Sequence, residues 1–339
     1  MNHVAVDLGS RKSQICVRSP DGQVLQEAKI ETKALKAFFG QMEKSRVVLE
    51  TCSEAFTIAD YASSTGHEVC VVPATLAPNL GVGQRGVKTD KKDAQNLSMA
   101  SCRMEKLPSV HRPSALARDR RSMITHRGTL ISARTMSVNS VKGWARAQLL
   151  SIPKGTTGKF PRRARDAALA EPNGLPSYIE RTLKLIDELN KQIAEADKEL
   201  EELAKKDEIC RILMTTPGVG PVTSMSFRAA IDDIERFKSA HALESYLGLT
   251  PGESSSGMKV SRLGITNAGP AKVRTALVQA AWCAYRTRPE DPMVQWAKKL
   301  ATKKPVQVAI VALARKIGGI LFALWRDKTN YNPAYQQQQ

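Results

Sequence analysis

Apolar positions in the first part of the chain follow two periods. Short runs rich in Val and Ile, each ended by a turn or a charged residue, predict strands, and apolar residues at helical spacing predict helices between the later strands. The predicted strands are residues 3–7, 13–17, 24–30, 46–49 and 68–72, with helices at 33–42 and 56–65. Three consecutive strands, followed by strands that alternate with helices, are typical of an α/β sheet.

Helical spacing dominates the middle of the chain. Residues 177–206 carry an apolar seam with steps of three and four: Ile179, Leu183, Ile186, Leu189, Ile193, Ala196, Leu200 and Leu203. This seam predicts a coiled-coil arm, formed within the chain or with a second copy. Residues 114–150 are also helical in pattern. Residues 151–176, with their Pro, Gly and basic clusters, predict an irregular linker.

The last third of the chain is mostly helical in pattern. Helices are predicted at 237–249 and 270–285, and the most apolar stretch, 306–325, contains Arg315 and Lys316 and is interpreted as a buried helix rather than a membrane span. Residues 251–269 include three consecutive serines and predict a polar loop. Residues 216–221 resemble the turn of a helix-hairpin-helix element, or form a plain tight turn. The polar tail 331–339 is predicted to be disordered.

The charge of the chain indicates a polyanionic partner. The formal net charge is +18, and residues 85–165 carry 19 Lys and Arg against 4 Asp and Glu. Such a charge attracts nucleic acid, although an arginine-rich helix can also be an ordinary solvated face. The residues predicted to contact nucleic acid are Lys88, Arg120, Arg121, Arg127, Arg134, Gly218, Gly220, Lys259, Arg262, Lys272 and Arg274.

The cysteines and histidines exclude several kinds of site. Six cysteines are scattered singly, with no CxxC pair, so neither a zinc site nor a disulfide framework is indicated. We therefore expect a reducing, cytoplasmic location. The N-terminus has no basic region that leads into an apolar core, so no secretory leader is expected. None of the five histidines lies within the serine-rich segment, which disfavours a Ser-His hydrolase.

Four carboxylates have the order and spacing of a metal site. Asp7 and Glu50 end predicted strands, at the sheet edge where ligands usually bind. Asp90 and Asp93 are three residues apart, on one face of a predicted helix. Oxygen ligands of this kind suit Mg²⁺, which leaves coordination positions open for phosphate oxygens. The alternative for the helical pair is an N-capped helix with solvated charges.

These motifs carry a family resemblance. Three features resemble the RuvC-like (RNase H fold) domain of the DEDD transposases of insertion sequences: AVDLGS, the strand-ending Glu50 and KTDKKDA. This group of transposases includes the pilin-gene invertases and the bridge-RNA-guided recombinases. YLGLTPGESSSG and RLGITNAGPAKVRTAL are similar to the second domain of that family. Thr51, Cys52 and Ser53 depart from its usual small-residue and glycine run after the glutamate.

The resemblance implies a domain order and a mechanism. The implied order is a RuvC-like DEDD domain (1–112), basic helices with a linker and a coiled-coil arm (113–207), a mostly α-helical transposase domain (208–330) and a tail (331–339). Asp7, Glu50, Asp90 and Asp93 match the acidic quartet that binds Mg²⁺. Ser256 matches the nucleophile, which becomes covalently joined to DNA, and Ser254 and Ser255 are less favoured.

The same resemblance implies partners. They are double-stranded donor and target DNA, a noncoding guide RNA, and further copies of the chain, as dimers that assemble into a tetramer. The resemblance also implies association with the nucleoid of a prokaryote, and no membrane is implied.

Three other functions fit part of the sequence. A two-metal nuclease or junction resolvase uses the carboxylates on water and needs no covalent intermediate. AVDLGS also resembles the first phosphate loop of actin-like ATPases, but no DxGG or DxGT stretch follows. A non-catalytic nucleic-acid-binding protein explains the charge and the arm but leaves the four spaced carboxylates unexplained.

Overall fold

A computed structural model describes residues 1–80, 89–170, 174–256 and 259–334, with the backbone alone at 78–79, 253–256 and 259–262. The chain divides into two compact units, Met1–Pro113 and Ser114–Gln339. Each unit is described by itself.

The first unit is built on a five-stranded sheet with the order β3-β2-β1-β4-β5. Strands β1 to β3 form an antiparallel meander, whereas β4 is parallel to both β1 and β5. The predicted mixed α/β sheet is confirmed. The strands are β1 (His3–Asp7), β2 (Lys12–Arg18), β3 (Val24–Glu31), β4 (Arg46–Glu50) and β5 (Glu68–Val72), and the helices are α1 (Leu35–Gly40), α2 (Ala55–Ser64) and α3 (Asp90–Arg103).

Strand β1 is buried on both faces and separates two parts of the core. Val4 and Val6 face the larger part, which includes residues of α1 and α2, and Ala5 faces the smaller part, where Leu97 of α3 packs. Because a strand projects alternate side chains to opposite faces, this pattern covers both faces with helices. Helix α3 therefore packs directly on β1, the strand that ends at Asp7.

The arm of the second unit contains three helices, α4 (Ala115–Ala147), α5 (Phe160–Leu169) and α6 (Ser177–Lys206). Leu183 and Ile186 of α6 are fully buried in a cluster with Val138 and Val141 of α4, so these seam residues pack within the chain. The prediction of an irregular linker at 151–176 is wrong for its central part. There Phe160, Ala164 and Ala168, four residues apart, bury one face of α5.

The rest of the second unit is a helical core. Its helices are α7 (Glu208–Leu213), α8 (Pro221–Ile231), α9 (Ala240–Tyr246), α10 (Ala271–Thr287), α11 (Pro292–Ala301) and α12 (Val306–Asp327). Helix α12 is long and apolar enough to cross a membrane by length and composition, but 61% of its most apolar window is buried. Arg315 of α12 donates to Glu244 at 2.6 Å. These features agree with the predicted buried helix.

One further prediction in this unit is wrong, and the prediction of a disordered tail is wrong at residues 331–334. Residues 251–269 are not a simple loop, because β6 (Pro251–Ser256) and β7 (Lys259–Ile265) pair as an antiparallel hairpin whose last pair is Ser256 with Lys259. Interstrand backbone hydrogen bonds outweigh the loop preference of the serines. The start of the tail is ordered by the Tyr331 hydroxyl, which donates to Asp291 at 2.9 Å. Residues 335–339 lie outside the described residues.

Candidate active site

All four predicted carboxylates line one cavity of about 280 Å³ in the first unit. Asp7 and Glu50 are the last residues of the neighbouring parallel strands β1 and β4. Asp90 and Asp93 lie in the first turn of α3, which packs on β1. The structure thus brings together residues that are far apart in sequence, at the sheet edge that the strand ends predicted.

Buried hydroxyls fix the turn that follows Asp7. Thr32 donates through its Oγ1 to the carbonyl of Gly9 at 2.6 Å, and Ser13 and Thr32 share a hydrogen bond of 2.8 Å. A Cβ on Gly9 would lie 2.4 Å from the carbonyl oxygen of Lys12. Only glycine fits this close turn, which places Lys12 in the lining of the acidic cavity.

The segment after Glu50, which departs from the family pattern, is well held. The backbone N–H of Thr51 donates to the carbonyl of Val72 at 2.9 Å, and the Thr51 hydroxyl accepts from the N–H of Ala74 at 2.8 Å. These two bonds continue the pairing between β4 and β5 beyond the strand ends. The threonine therefore anchors the position of Glu50.

Asp90 and Asp93 have different surroundings although they share one helical turn. The Thr89 side chain caps α3 by accepting from the N–H of Lys92 at 3.3 Å. Asp90 is exposed and lies 3.0 Å from the ammonium group of Lys29. Asp93 is buried, and its Oδ1 atom has no hydrogen-bond partner. A buried carboxylate oxygen without a partner is costly unless a cation or a donor binds to it.

The acidic cavity suits a divalent cation. Within the part of the chain that the structure describes, no three acidic or metal-binding side chains converge closely enough to hold an ion together. Mg²⁺ does not require such a cage, because it commonly takes one or two protein carboxylates and fills its other positions with water and phosphate oxygens. The buried Oδ1 of Asp93, with three further carboxylates in the lining, fits this requirement.

The predicted phosphate-contacting arginines of α4 are used inside the second unit. Arg120 pairs with Asp207, Arg127 with Asp197, and Arg134 donates to Asn190 at 3.0 Å, while Arg121 donates to the last carbonyls of α8. These arginines are therefore engaged within the unit, and their contact with a nucleic-acid backbone stays a prediction. The cause is packing, because the face that carries these arginines lies against helices α6, α7 and α8.

The other predicted nucleic-acid contacts differ in accessibility. Arg274 donates to the carbonyls of Leu247, Asn267 and Ala268 and so holds the segment before α10. Lys272 is exposed and donates to the Thr125 hydroxyl at 2.7 Å. The structure describes neither Lys88 nor the side chains of Lys259 and Arg262.

The glycines of the 216–221 turn have unequal roles. Gly218 has φ +81° and lies against the backbone of α10, whereas a Cβ on Gly220 would meet nothing within 4 Å. Packing therefore explains Gly218, as expected for a tight turn between helices. Of the two, Gly220 has the more open surroundings.

Ser256 ends strand β6, and its side chain lies outside the described residues. Sequence reasoning missed two lysines of the first unit: Lys12, in the lining of the acidic cavity, and Lys29, which pairs with Asp90. The sequence feature that comes nearest to marking Lys12 is its position at the start of β2, the strand that pairs with β1. Nothing in their spacing marks them as part of the site.

Comparisons with known proteins agree with this architecture. Residues 4–146 match the DEDD model of IS110 elements, described as a transposase, and residues 210–294 match the model described as the transposase IS116/IS110/IS902 family. Together the two matches span more than half of the chain.

Full-length relatives show the same similarity. The chain is 26% identical to the transposase for insertion sequence element IS1111A of Coxiella burnetii, over 97% of this chain and 90% of that protein. It is 28% identical to a probable family 20 transposase of Pseudomonas aeruginosa, over 98% and 99%, and 26% identical to the transposase for IS1328 of Yersinia enterocolitica, over 97% and 98%. The chain belongs to the IS110/IS116/IS902 family of transposases, DNA-processing enzymes with an N-terminal DEDD domain.

Proposed function

We propose that this transposase cuts, exchanges and rejoins DNA strands with Mg²⁺ at Asp7, Glu50, Asp90 and Asp93 and with Ser256 as the nucleophile. Family membership implies DNA binding and, through the DEDD domain, the use of divalent metal ions. The observation that carries the metal assignment is the single cavity lined by four carboxylates, with a buried oxygen of Asp93 unpartnered.

The residues of the acidic cavity would have different roles. The four carboxylates would hold Mg²⁺, which when bound offsets negative charge on phosphate oxygens. Lys12 lines the same cavity and is suited to hold a phosphate group of the DNA. Lys29, at 3.0 Å from Asp90, orients that carboxylate at the edge of the cavity.

The reaction balances without a nucleotide cofactor. The hydroxyl oxygen of Ser256 forms a bond to phosphorus, the bond from phosphorus to one DNA oxygen breaks, and that oxygen takes up a proton as the serine loses one. Attack of a DNA hydroxyl on the phosphoserine then rejoins a strand and restores the serine. Each step exchanges one phosphate ester for another, so nothing is oxidised or reduced and the bond energy is retained.

The serine assignment is tested by trapping the adduct. Labelled element-end DNA is incubated with protein and Mg²⁺ and resolved under denaturing conditions. We expect the wild-type protein to retain label covalently, Ser256→Ala to lose it, and the neighbouring Ser254→Ala and Ser255→Ala variants to keep it. An adduct formed by Ser256→Ala would contradict the assignment. Strand cleavage by the wild-type protein without any adduct would favour the two-metal nuclease.

The proposal includes a guide RNA and a tetramer of paired dimers, acting in the cytoplasm on double-stranded donor and target DNA. The family resemblance supports each part, and the net charge of +18 supports the nucleic-acid partners. Sequencing of RNA that co-purifies with the protein tests the guide, and we expect one structured transcript from beside the gene. Mass measurement of the DNA-bound assembly tests the tetramer. Random RNA fragments, or a monomer on DNA, would contradict the corresponding part.

A further inference from the structure

A cavity of about 660 Å³ lies between the end of α4 and the start of α5, at the tip of the arm. Four cationic side chains line it: Lys142, Arg146, Lys154 and Arg163. All of its lining residues lie within the described range 138–163, and none is acidic. The apolar part of the lining includes Val138, Ala145 and Ile152. The cavity therefore has an apolar floor and a cationic rim.

The four cations that line this cavity differ from Arg162 and Arg165 of α5, which pair with Asp166, Glu180 and Asp187. Residues 120–165 contain no Asp or Glu. Within the described residues, none of the four cations forms an ion pair, and Lys142, Arg146 and Lys154 are exposed. Two arginines nearer the base of α4 are neutralised by ion pairs, Arg120 by Asp207 and Arg127 by Asp197. The tip cations thus remain available to an external anion.

The rim is a fixed structure. Arg163 donates through Nε to the carbonyl of Pro153 and through Nη1 to that of Thr156, each at 2.9 Å. A Cβ on Gly155 would lie 2.6 Å from the same guanidinium group, so this glycine allows the loop to close over the arginine. The Lys142 ammonium lies 5.9 Å from the centroid of the Phe160 ring. These contacts hold the loop 153–156 and Arg163 in place before any ligand arrives.

We propose that the arm tip binds the phosphate backbone of a DNA duplex, as a contact separate from the acidic cavity. Proteins that bind single strands combine charge with exposed aromatic faces on which bases stack. The aromatic residue of this lining, Phe160, is only 3% exposed, so the cavity itself offers charge without a stacking platform. That combination suits a paired backbone, and DNA is the substrate of the family.

The helix sets the distance of this contact from α10. Lys272, at the start of α10, donates to Thr125, and α4 continues without a break from Thr125 to Arg146. At about 1.5 Å per residue this stretch is about 32 Å long, or about nine base pairs of B-DNA at about 3.4 Å each. The expected separation of about nine base pairs depends on the proposed DNA contact of Lys272, whereas the proposed site at the arm tip does not.

The test compares two variants that lose equal charge. Lys142→Ala/Arg146→Ala/Lys154→Ala removes the tip cations, and Lys191→Ala/Lys198→Ala/Lys206→Ala removes three exposed lysines of α6. Binding of the full chain to a long element-end duplex is measured against salt concentration. We expect the tip variant to raise Kd about tenfold and to reduce the salt slope by about three, with little change in the control. A duplex shortened by one outer helical turn lacks the segment that the arm tip would contact. On this shorter duplex the wild type and the tip variant should therefore bind with the same Kd.

Three outcomes would overturn the proposal: unchanged binding by the tip variant, equal losses in both variants, or a loss confined to an RNA duplex of the same sequence, which would assign the tip to RNA. Circular dichroism and thermal unfolding establish that each variant is folded. The milder Lys142→Gln/Lys154→Gln variant replaces the triple variant if that one unfolds. Because only binding is scored, the result does not depend on whether Ser256 forms an adduct.

Discussion

The guanidinium group of Arg120 donates to the carboxylate of Asp207 at 2.6 Å, and both side chains are only 12% exposed. Asp207 also caps α7, because its Oδ1 accepts from the N–H of Cys210 at 2.9 Å. One carboxylate therefore joins α4 to the junction between α6 and α7. This pair connects the arm to the helical core of the second unit.

Removal of one partner should be costly. Arg120→Ala leaves Asp207 largely buried with its main cation gone, and we expect a loss of about 3 kcal/mol in the free energy of unfolding. Urea unfolding measures it. The matched control is Arg146→Ala, on the exposed surface of the same helix, with an expected change within about 0.5 kcal/mol. Equal small changes in both variants would show that the pair contributes little.

The same pair predicts sensitivity to acid. Burial raises the pKa of Asp207, but the hydrogen bonds from Cys210 N–H and Arg120 outweigh it, so the pKa lies below its ordinary value. A lowered folded-state pKa adds stability above the unfolded-state value of about 3.9, and this stability is lost as pH falls through the folded-state pKa.

Unfolding curves measured from pH 7 to strong acid test this. The wild-type protein should lose part of its stability below about pH 4. Asp207→Asn should be less stable than the wild type at pH 7. It should lose less stability on acidification, because it has no carboxylate at position 207 to become protonated. Parallel pH profiles for the two proteins would contradict the role of Asp207.

Gly218 gives a prediction that separates packing from DNA contact. A Cβ there would lie 2.2 Å from the carbonyl oxygen of Ala280, and the residue has φ +81°. We expect Gly218→Ala to lower the free energy of unfolding by more than about 2 kcal/mol. Gly220→Ala, which has open space, should cost about 1 kcal/mol or less. Thermal unfolding in the absence of DNA makes the comparison, and equal stability of the two variants would be incompatible with it.

Asp93→Asn tests the metal site directly. The change keeps the shape of the side chain and removes the charge from an oxygen that has no hydrogen-bond partner. We expect Mg²⁺ binding, measured by calorimetry without DNA, to weaken at least about tenfold, with stability unchanged within about 1 kcal/mol. Asp21→Asn, in the exposed turn after β2, is the control and should bind Mg²⁺ as the wild type does. Normal Mg²⁺ affinity in Asp93→Asn would remove Asp93 from the site.

The sequence by itself determined the local structure and the identity of the acidic residues. Valine-rich runs and helical seams predicted the five-stranded sheet and the helix Ser177–Lys206 because their periods differ, and Asp7 and Glu50 were recognisable as strand ends. Local spacing also placed Asp90 and Asp93 on one helical turn. These features depend on neighbours within a few residues, which a linear pattern contains.

Only the tertiary structure decided how side chains are used. The α4 arginines resembled a phosphate-binding stripe, yet packing against α6 and α7 turned Arg120 and Arg127 towards Asp207 and Asp197, which are 70 or more residues away in sequence. Lys154 and Arg163, assigned to a linker, became a cationic rim because α5 packs on α4 and α6. Charge density along a chain records how many cations there are, whereas long-range packing decides which of them are neutralised inside and which remain for a partner.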